Sequence, residues 1–129
     1  AGEVCGINPS GSKIGGDIEN AIVLFPDPMG ATGASMSDAL KIYKKLEGGA
    51  PKRLITVHLI VTPEYIRTIQ SEHPDTVIYA LRLDRAMSSA QALSSAPGKY
   101  PEEESGLNEV QYIVPGAGGV GEILNNSFV

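Results

Sequence analysis

Phe25-Pro26-Asp27-Pro28-Met29-Gly30-Ala31-Thr32-Gly33-Ala34-Ser35 joins an apolar run, Ala21-Ile22-Val23-Leu24-Phe25, to a helical pattern that runs from Met36 to Leu46. A strand therefore ends, a loop of small residues turns, and a helix begins. Backbone N–H groups and a helix N-terminus then point at one spot, which suits a phosphate. Thr32 and Ser35 add hydroxyl donors, and Asp27 at the strand end adds a carboxylate. Beside an amide cradle, a carboxylate suits the hydroxyls of a sugar or a metal better than the phosphate itself. The plain alternative is an ordinary strand–helix turn, but that does not call for acid, glycine and hydroxyls together.

Outward from this loop the pattern repeats. Met36, Ala39, Leu40, Tyr43 and Leu46 recur at helical spacing with Lys41, Lys44, Lys45 and Glu47 opposite. Ser35 reads as the N-cap, and Gly48-Gly49 with Pro51 as the stop. Arg53–Val61 reads as a second strand, and Thr62 as the N-cap of a second helix with Pro63 at its first position, ending near Glu72. His73-Pro74-Asp75 is a turn, Thr76–Leu83 a third strand and Gln111–Val114 a short fourth. Pro26 and Pro28 are expected to stop the first strand. The fold class is thus α/β, a mostly parallel sheet of about four strands with flanking helices. Ligands of such sheets sit beyond the carboxyl ends of the strands. The 26–35 loop, the Val61-Thr62 junction, Asp84 and the 115–122 loop all fall at that edge.

A chain of 129 residues fits one domain, 1–129, with residues 1–19 as a Gly- and Ser-rich lead-in and 86–105 as an inserted surface excursion. Net charge is −5, which argues against nucleic acid or an anionic membrane as partner, though an amide loop needs no positive charge to hold a phosphate. Cys5 is the single cysteine, so no internal disulfide or cysteine-based zinc site is expected, and a reducing cytoplasm fits. The longest apolar runs have about six residues, far short of a membrane span. No signal peptide is expected from the first residues, and a start at Ala1 leaves room for a processed or truncated chain.

Other motifs carry less. Gly116-Ala117-Gly118-Gly119-Val120-Gly121 fits G-x-G-x-x-G after a strand, but too few residues follow for a dinucleotide fold. A glycine loop that brings backbone close to a flat ligand accounts for it better. His58 reads as a satisfied core or strand-face residue rather than a catalyst, His73 as solvated, Glu102-Glu103-Glu104 as a solvated run, and Cys5 has no assigned role. No His-based metal site is expected.

Asp27 to Ser35 resembles the D-P-M-L-A-T-G-G-S loop of the uracil phosphoribosyltransferase family. Thr62-Pro63-Glu64 and Glu72-His73-Pro74-Asp75 resemble that family's A-P-E-G-I and A-H-P-D segments. Gly106-Leu107-Asn108-Glu109, followed by Tyr112-Ile113-Val114-Pro115-Gly116, resembles its G-L-N-E and Y-I-V-P-G ending. The motifs stand in order over about residues 20–122. The resemblance implies a phosphoribosyltransferase fold and the reaction of uracil with phosphoribosyl pyrophosphate and Mg2+, giving uridine monophosphate and pyrophosphate in pyrimidine salvage. It implies that Ala31, Thr32, Gly33, Ala34 and Ser35 hold the 5′-phosphate and that Asp27, the candidate catalytic residue, contacts the ribose hydroxyls. Ile113, Gly118 and Val120 would read the uracil edge, with Tyr112 beside them.

Departures accompany the match. The family continues L-G-D-A-G-D, whereas this chain has Ala117-Gly118-Gly119-Val120-Gly121-Glu122, so the first acid is replaced by Gly119 and the second by Glu122. The family's N-terminal half, with its pyrophosphate-binding residues, is not recognisable in residues 1–19. The expected partners are therefore the two substrates and either further copies of the chain or the missing half. The alternative is a non-catalytic relative that binds a nucleotide or a protein. An RNA-binding regulator fits the acidic balance poorly.

Overall fold

The computed structural model describes residues 17–45 and 49–120. Readings placed on Cys5, most of the 1–19 lead-in, Leu46 to Gly48, Gly121 and Glu122 lie outside the described residues. The elements are β1 (Ile22–Pro26), β2 (Met29–Gly30), α1 (Ala34–Lys44), β3 (Arg53–Val61), α2 (Pro63–Glu72), β4 (Val77–Leu83), a short α3 (Ala90–Leu93) and a 3-10 turn, Pro101–Glu103.

All pairings within the sheet are parallel. β1 and β2 lie end to end along one edge of β3 in unbroken register, Ile22 opposite Arg53 and Gly30 opposite Val61. β4 lines the other edge. β1 ends at Pro26, as expected from Pro26 and Pro28, and pairing with β3 resumes in the same register as the two-residue β2 at Met29. Hydrogen-bonding direction alternates along a strand, and the Asp27 amide donates to the Val57 carbonyl at 3.0 Å. Pro26 therefore directs its N–H-less nitrogen to the outer edge of β1, which has no partner among the described residues, and no ladder bond is lost.

Both crossovers, β1 to β3 and β3 to β4, step the same way across the sheet. Right-handed connections then put α1 and α2 on the same face. Met36 and Leu40 of α1, Tyr65 and Ile69 of α2, and Leu54 and Val61 of β3 form the core, with Val23, Phe25, Ile78 and Leu83 against it. Among the described residues nothing covers the other sheet face, which is apolar: Ile22 and Leu24 are 60 % exposed, Leu81 83 %, and Val57, Leu59 and Tyr79 are also exposed. Parallel sheets are ordinarily covered on both faces.

Several expectations need correction. Helix α1 begins at Ala34, so its N-cap is Gly33 rather than Ser35. Gly33 sits at φ +84, and its carbonyl accepts the Ser37 amide at 2.8 Å, closing the first helical turn. The helix ends at Lys44. Gln111–Val114 is not a strand. Gln111 has φ +66, and the one antiparallel bridge among the described residues joins Leu107 to Ile113. Asn108 accepts the Val110 and Tyr112 amides through Oδ1 at 3.1 and 2.9 Å, which folds the chain back as a tight turn. His73 is not solvated but 3 % exposed; its Nε2 lies 2.9 Å from the Ser37 hydroxyl, which also donates to Glu72 at 2.6 Å, tying α1 to the end of α2. Within the 102–104 run, Glu104 is buried and pairs with Arg85 at 3.2 Å. Arg85 also donates to the carbonyls of Ala92 and Ser95, and Arg67 of α2 to those of Pro101 and Glu104. Segment 86–105 is thus strapped to β4 and α2 by two arginines. The reading of Thr62 as N-cap matches the structure: its side chain accepts the Tyr65 amide, with Pro63 following.

Candidate functional site at the carboxyl edge of the sheet

The loop between β2 and α1 is built from two sides. Ala34, Ser35 and Met36 open α1, so their amides have no acceptor within the helix; that of Ala34 donates to Thr32 Oγ1 at 3.4 Å. The loop's carbonyls, by contrast, are turned into the protein. Thr62 Oγ1 donates to the Ala31 carbonyl at 2.5 Å, and Thr68 Oγ1 to the Thr32 carbonyl at 2.8 Å. With carbonyls held inward by α2, the outward side of the turn is left to N–H groups and to the exposed side chains of Thr32 and Ser35. The turn needs a glycine at 33: besides its positive φ, a Cβ there would stand 2.9 Å from Thr68 Cβ.

Asp27 lies at the interruption between β1 and β2. Its Oδ1 accepts the Met29 amide at 3.2 Å, and its carbonyl accepts from His58 Nδ1 at 2.5 Å. His58 is 3 % exposed, and burial pushes its pKa below the ordinary value against the opposing pull of Asp27. Its ring meets that of Tyr65 edge-on, centroids 4.6 Å apart. Burial pushes the Tyr65 hydroxyl up to about 12, so this phenol stays neutral.

The glycine-containing loop after Ile113 is anchored by Asp84, which is 2 % exposed at the end of β4. Arg82 grips the Asp84 carboxylate through Nε at 2.6 Å and Nη2 at 2.9 Å. Asp84 Oδ2 also accepts the Gly116 amide at 2.8 Å, while Arg82 Nη2 donates to the Gly116 carbonyl at 2.9 Å. A buried carboxylate held by a bidentate guanidinium is neutralised and rigid. Gly106 passes against the same corner, where a Cβ would come within 2.1 Å of the Asp84 carbonyl; only glycine fits.

Between these two loops lies a cavity of about 160 Å³ lined by Met29, Ala31, Gln111, Tyr112, Ile113, Ala117, Gly118 and Val120. Tyr112, Ile113, Gly118 and Val120 therefore share one cavity with Ala31. Asp27, Thr32, Gly33, Ala34 and Ser35 are not on its wall; they belong to the strand interruption and the helix entrance next to it. Thr68, Arg82 and the anchoring role of Asp84 were not legible as site-building groups. Only the place of Asp84 at a strand end hinted at it.

Fold and site define a class: an open parallel α/β domain whose ligand site lies at the carboxyl ends of its strands, between an amide-rich helix entrance and a glycine loop. Comparison with known proteins makes it particular. The family model for uracil phosphoribosyltransferase matches residues 10–100, and the chain belongs to that family. It is 39 % identical over 112 residues to the uracil phosphoribosyltransferase of Clostridium botulinum (strain Eklund 17B / Type B), covering 87 % of this chain and 43 % of that protein. It is 40 % identical over 106 residues to that of Thermosipho africanus, covering 82 % and 40 %. The solved structure of the AQ2163 protein from Aquifex aeolicus superposes with a TM-score of 0.64 at 27 % identity, covering 84 % of this chain and 41 % of that one. The chain thus spans less than half the length of these relatives.

Proposed function

We propose that this chain supplies the ribose-5-phosphate and uracil subsites of a uracil phosphoribosyltransferase, acting on uracil and phosphoribosyl pyrophosphate in pyrimidine salvage. The observation that carries this reading is the single cavity joining Ala31 of the helix-entrance loop to Tyr112, Ile113, Gly118 and Val120. Its volume supports one six-membered ring: a protein cavity of roughly 150 Å³ accepts benzene. In this reading the amides and hydroxyls of residues 31–35 hold the 5′-phosphate, and Asp27 holds the ribose hydroxyls. The backbone of Ile113, Gly118 and Val120 reads the uracil edge, with Tyr112 beside it. Uracil N1 then bonds to C1′ as the bond from C1′ to the pyrophosphate oxygen breaks, pyrophosphate leaving with that electron pair and the N1 proton passing to it or to water. The chain's part is positioning, with positive charge developing at the sugar beside Asp27. Phosphoribosyl pyrophosphate would enter as its magnesium complex. No cluster of three metal-ligating side chains occurs among the described residues. A cation brought in this way would take most of its oxygens from substrate and water. A single cysteine fits a reducing cytoplasm as the setting.

The apolar face of Ile22, Leu24, Val57, Leu59, Tyr79 and Leu81 and the outer edge of β1, both without a partner among the described residues, support a further layer. In this reading it comes from the remaining half of the phosphoribosyltransferase fold, which also brings the pyrophosphate-binding groups. No helix among the described residues is long and apolar enough to cross a membrane.

Calorimetry tests the reading. Uridine monophosphate should bind, and Asp27→Ala or Thr32→Ala should weaken it; no binding of uridine monophosphate or phosphoribosyl pyrophosphate would sink it. Formation of uridine monophosphate is then compared between this chain alone and the chain joined to the N-terminal half of the Clostridium botulinum relative. Activity in the joined protein supports the substrate reading. Binding without activity there indicates a non-catalytic relative, the reading favoured by Gly119 in place of an acid.

A further inference from the structure

His58 and Asp27 face each other in register across the parallel ladder, as the pairings on either side of them require. In a regular parallel ladder the Asp27 amide would donate to the Val57 carbonyl and the Asp27 carbonyl would accept from the Leu59 amide. The first bond is present at 3.0 Å; the second is not. The Leu59 and Ile60 amides both go to the Pro28 carbonyl, each at 3.1 Å. The Asp27 carbonyl has turned onto the covered face of the sheet, where His58 Nδ1 meets it at 2.5 Å. A carbonyl only accepts, so Nδ1 carries the proton. The ring has little freedom to leave. It is buried, and its edge contact with Tyr65 fixes its plane. Tyr65 also backs the strand end, since a Cβ on Gly30 would stand 2.9 Å from Tyr65 Cδ2.

The turned peptide has a consequence for the carboxylate. It lets the chain fold over itself so that Met29 N–H reaches Asp27 Oδ1 at 3.2 Å. Asp27 is thereby held at both ends, its carbonyl by His58 and one carboxylate oxygen by Met29.

We propose that His58 is a positioning residue for Asp27: its Nδ1–H draws the Asp27 carbonyl out of the ladder and so sets where the Asp27 carboxylate stands at the helix-entrance loop. The inference rests on the reading of Asp27 as the ribose contact, and it makes a separate prediction about geometry. His58 touches no reacting atom; it acts through the backbone of Asp27.

Three variants test it, because they place an amide donor differently. His58→Asn puts its amide near the position of Nδ1, His58→Gln near that of Nε2, and His58→Val has no donor. Calorimetry with uridine monophosphate should find His58→Asn within about threefold of the parent. His58→Gln and His58→Val should bind at least about tenfold more weakly at unchanged circular dichroism. Equal binding by all three, or equal loss in all three with the fold intact, overturns the proposal. Two readouts decide it without ligand. Imidazole nitrogen NMR should find the Nδ1–H tautomer at His58, and the Nε2–H tautomer would refute it. A crystal structure of His58→Val should have the Leu59 amide back on the Asp27 carbonyl; an unchanged interruption would refute it. If the parent binds neither substrate while both readouts come out as expected, the substrate reading fails and the positional role stands.

Discussion

Thr62 is the residue on which helix and loop depend together, so Thr62→Val should act on both. The hydroxyl accepts the Tyr65 amide at 3.0 Å as the N-cap of α2 and donates to the Ala31 carbonyl at 2.5 Å. The side chain is fully buried. Valine keeps the shape and removes both bonds. Loss of the cap costs about 1 kcal/mol. Stranding the part-buried Ala31 carbonyl adds about 1–2 kcal/mol. The sum is about 2–3 kcal/mol, which at roughly 4 °C per kcal/mol lowers the melting temperature by roughly 8–12 °C. Thr62→Ser keeps both bonds and loses one buried methyl, at about 1 kcal/mol. Urea unfolding of the three proteins measures these differences, and calorimetry with uridine monophosphate measures the loop. The valine variant should also lose affinity, because the Ala31 carbonyl is then free to turn outward toward the phosphate. Stability of Thr62→Val equal to that of Thr62→Ser would refute the reasoning.

Gly33→Ala should destabilise the chain by about 1–3 kcal/mol, since alanine is strained at positive φ and its Cβ meets Thr68; denaturant midpoints read this. Glu104→Gln removes the counter-charge of Arg85, which holds segment 86–105, and should cost about 3 kcal/mol or more, visible as earlier proteolysis between residues 86 and 105. Burial lowers the folded-state pKa of both His58 and His73, with Lys44 adding to the effect at His73. The unfolded chain then binds protons more readily than the folded one. Stability is complete above the unfolded value of about 6.5 and falls as pH drops below it. Urea midpoints from pH 7.5 to 5 should decline, and His73→Gln should flatten the decline; a flat profile in the parent would contradict it.

Order and type of the main elements were legible because they rest on local chemistry. The apolar run at 21–25, the Thr62-Pro63 helix start and the β-branched and apolar stretch Arg53–Val61 each act within a few residues. That both crossovers step the same way, leaving one sheet face uncovered among the described residues, shows only in the strand order. The motif residues of the glycine loop and the helix entrance were legible as types, and the fold brings Ala31 together with Tyr112, Ile113, Gly118 and Val120.

What pattern could not supply were contacts between distant parts of the chain. Pro26 and Pro28 mark the end of β1 in the sequence, but that pairing resumes in register at Met29 shows only in the sheet. His73 and Glu104 carry the signature of solvated residues, yet Ser37 lies 36 positions from one and Arg85 pairs the other. Asp84 holds the Gly116 loop across 32 positions. The sequence alone determined where strands and helices begin, since capping, turn chemistry and hydrophobic period are short-ranged. Tertiary structure alone decided which polar groups are buried and what they hold, since a hydrogen bond that closes a long loop leaves no periodic trace in the residues between its ends.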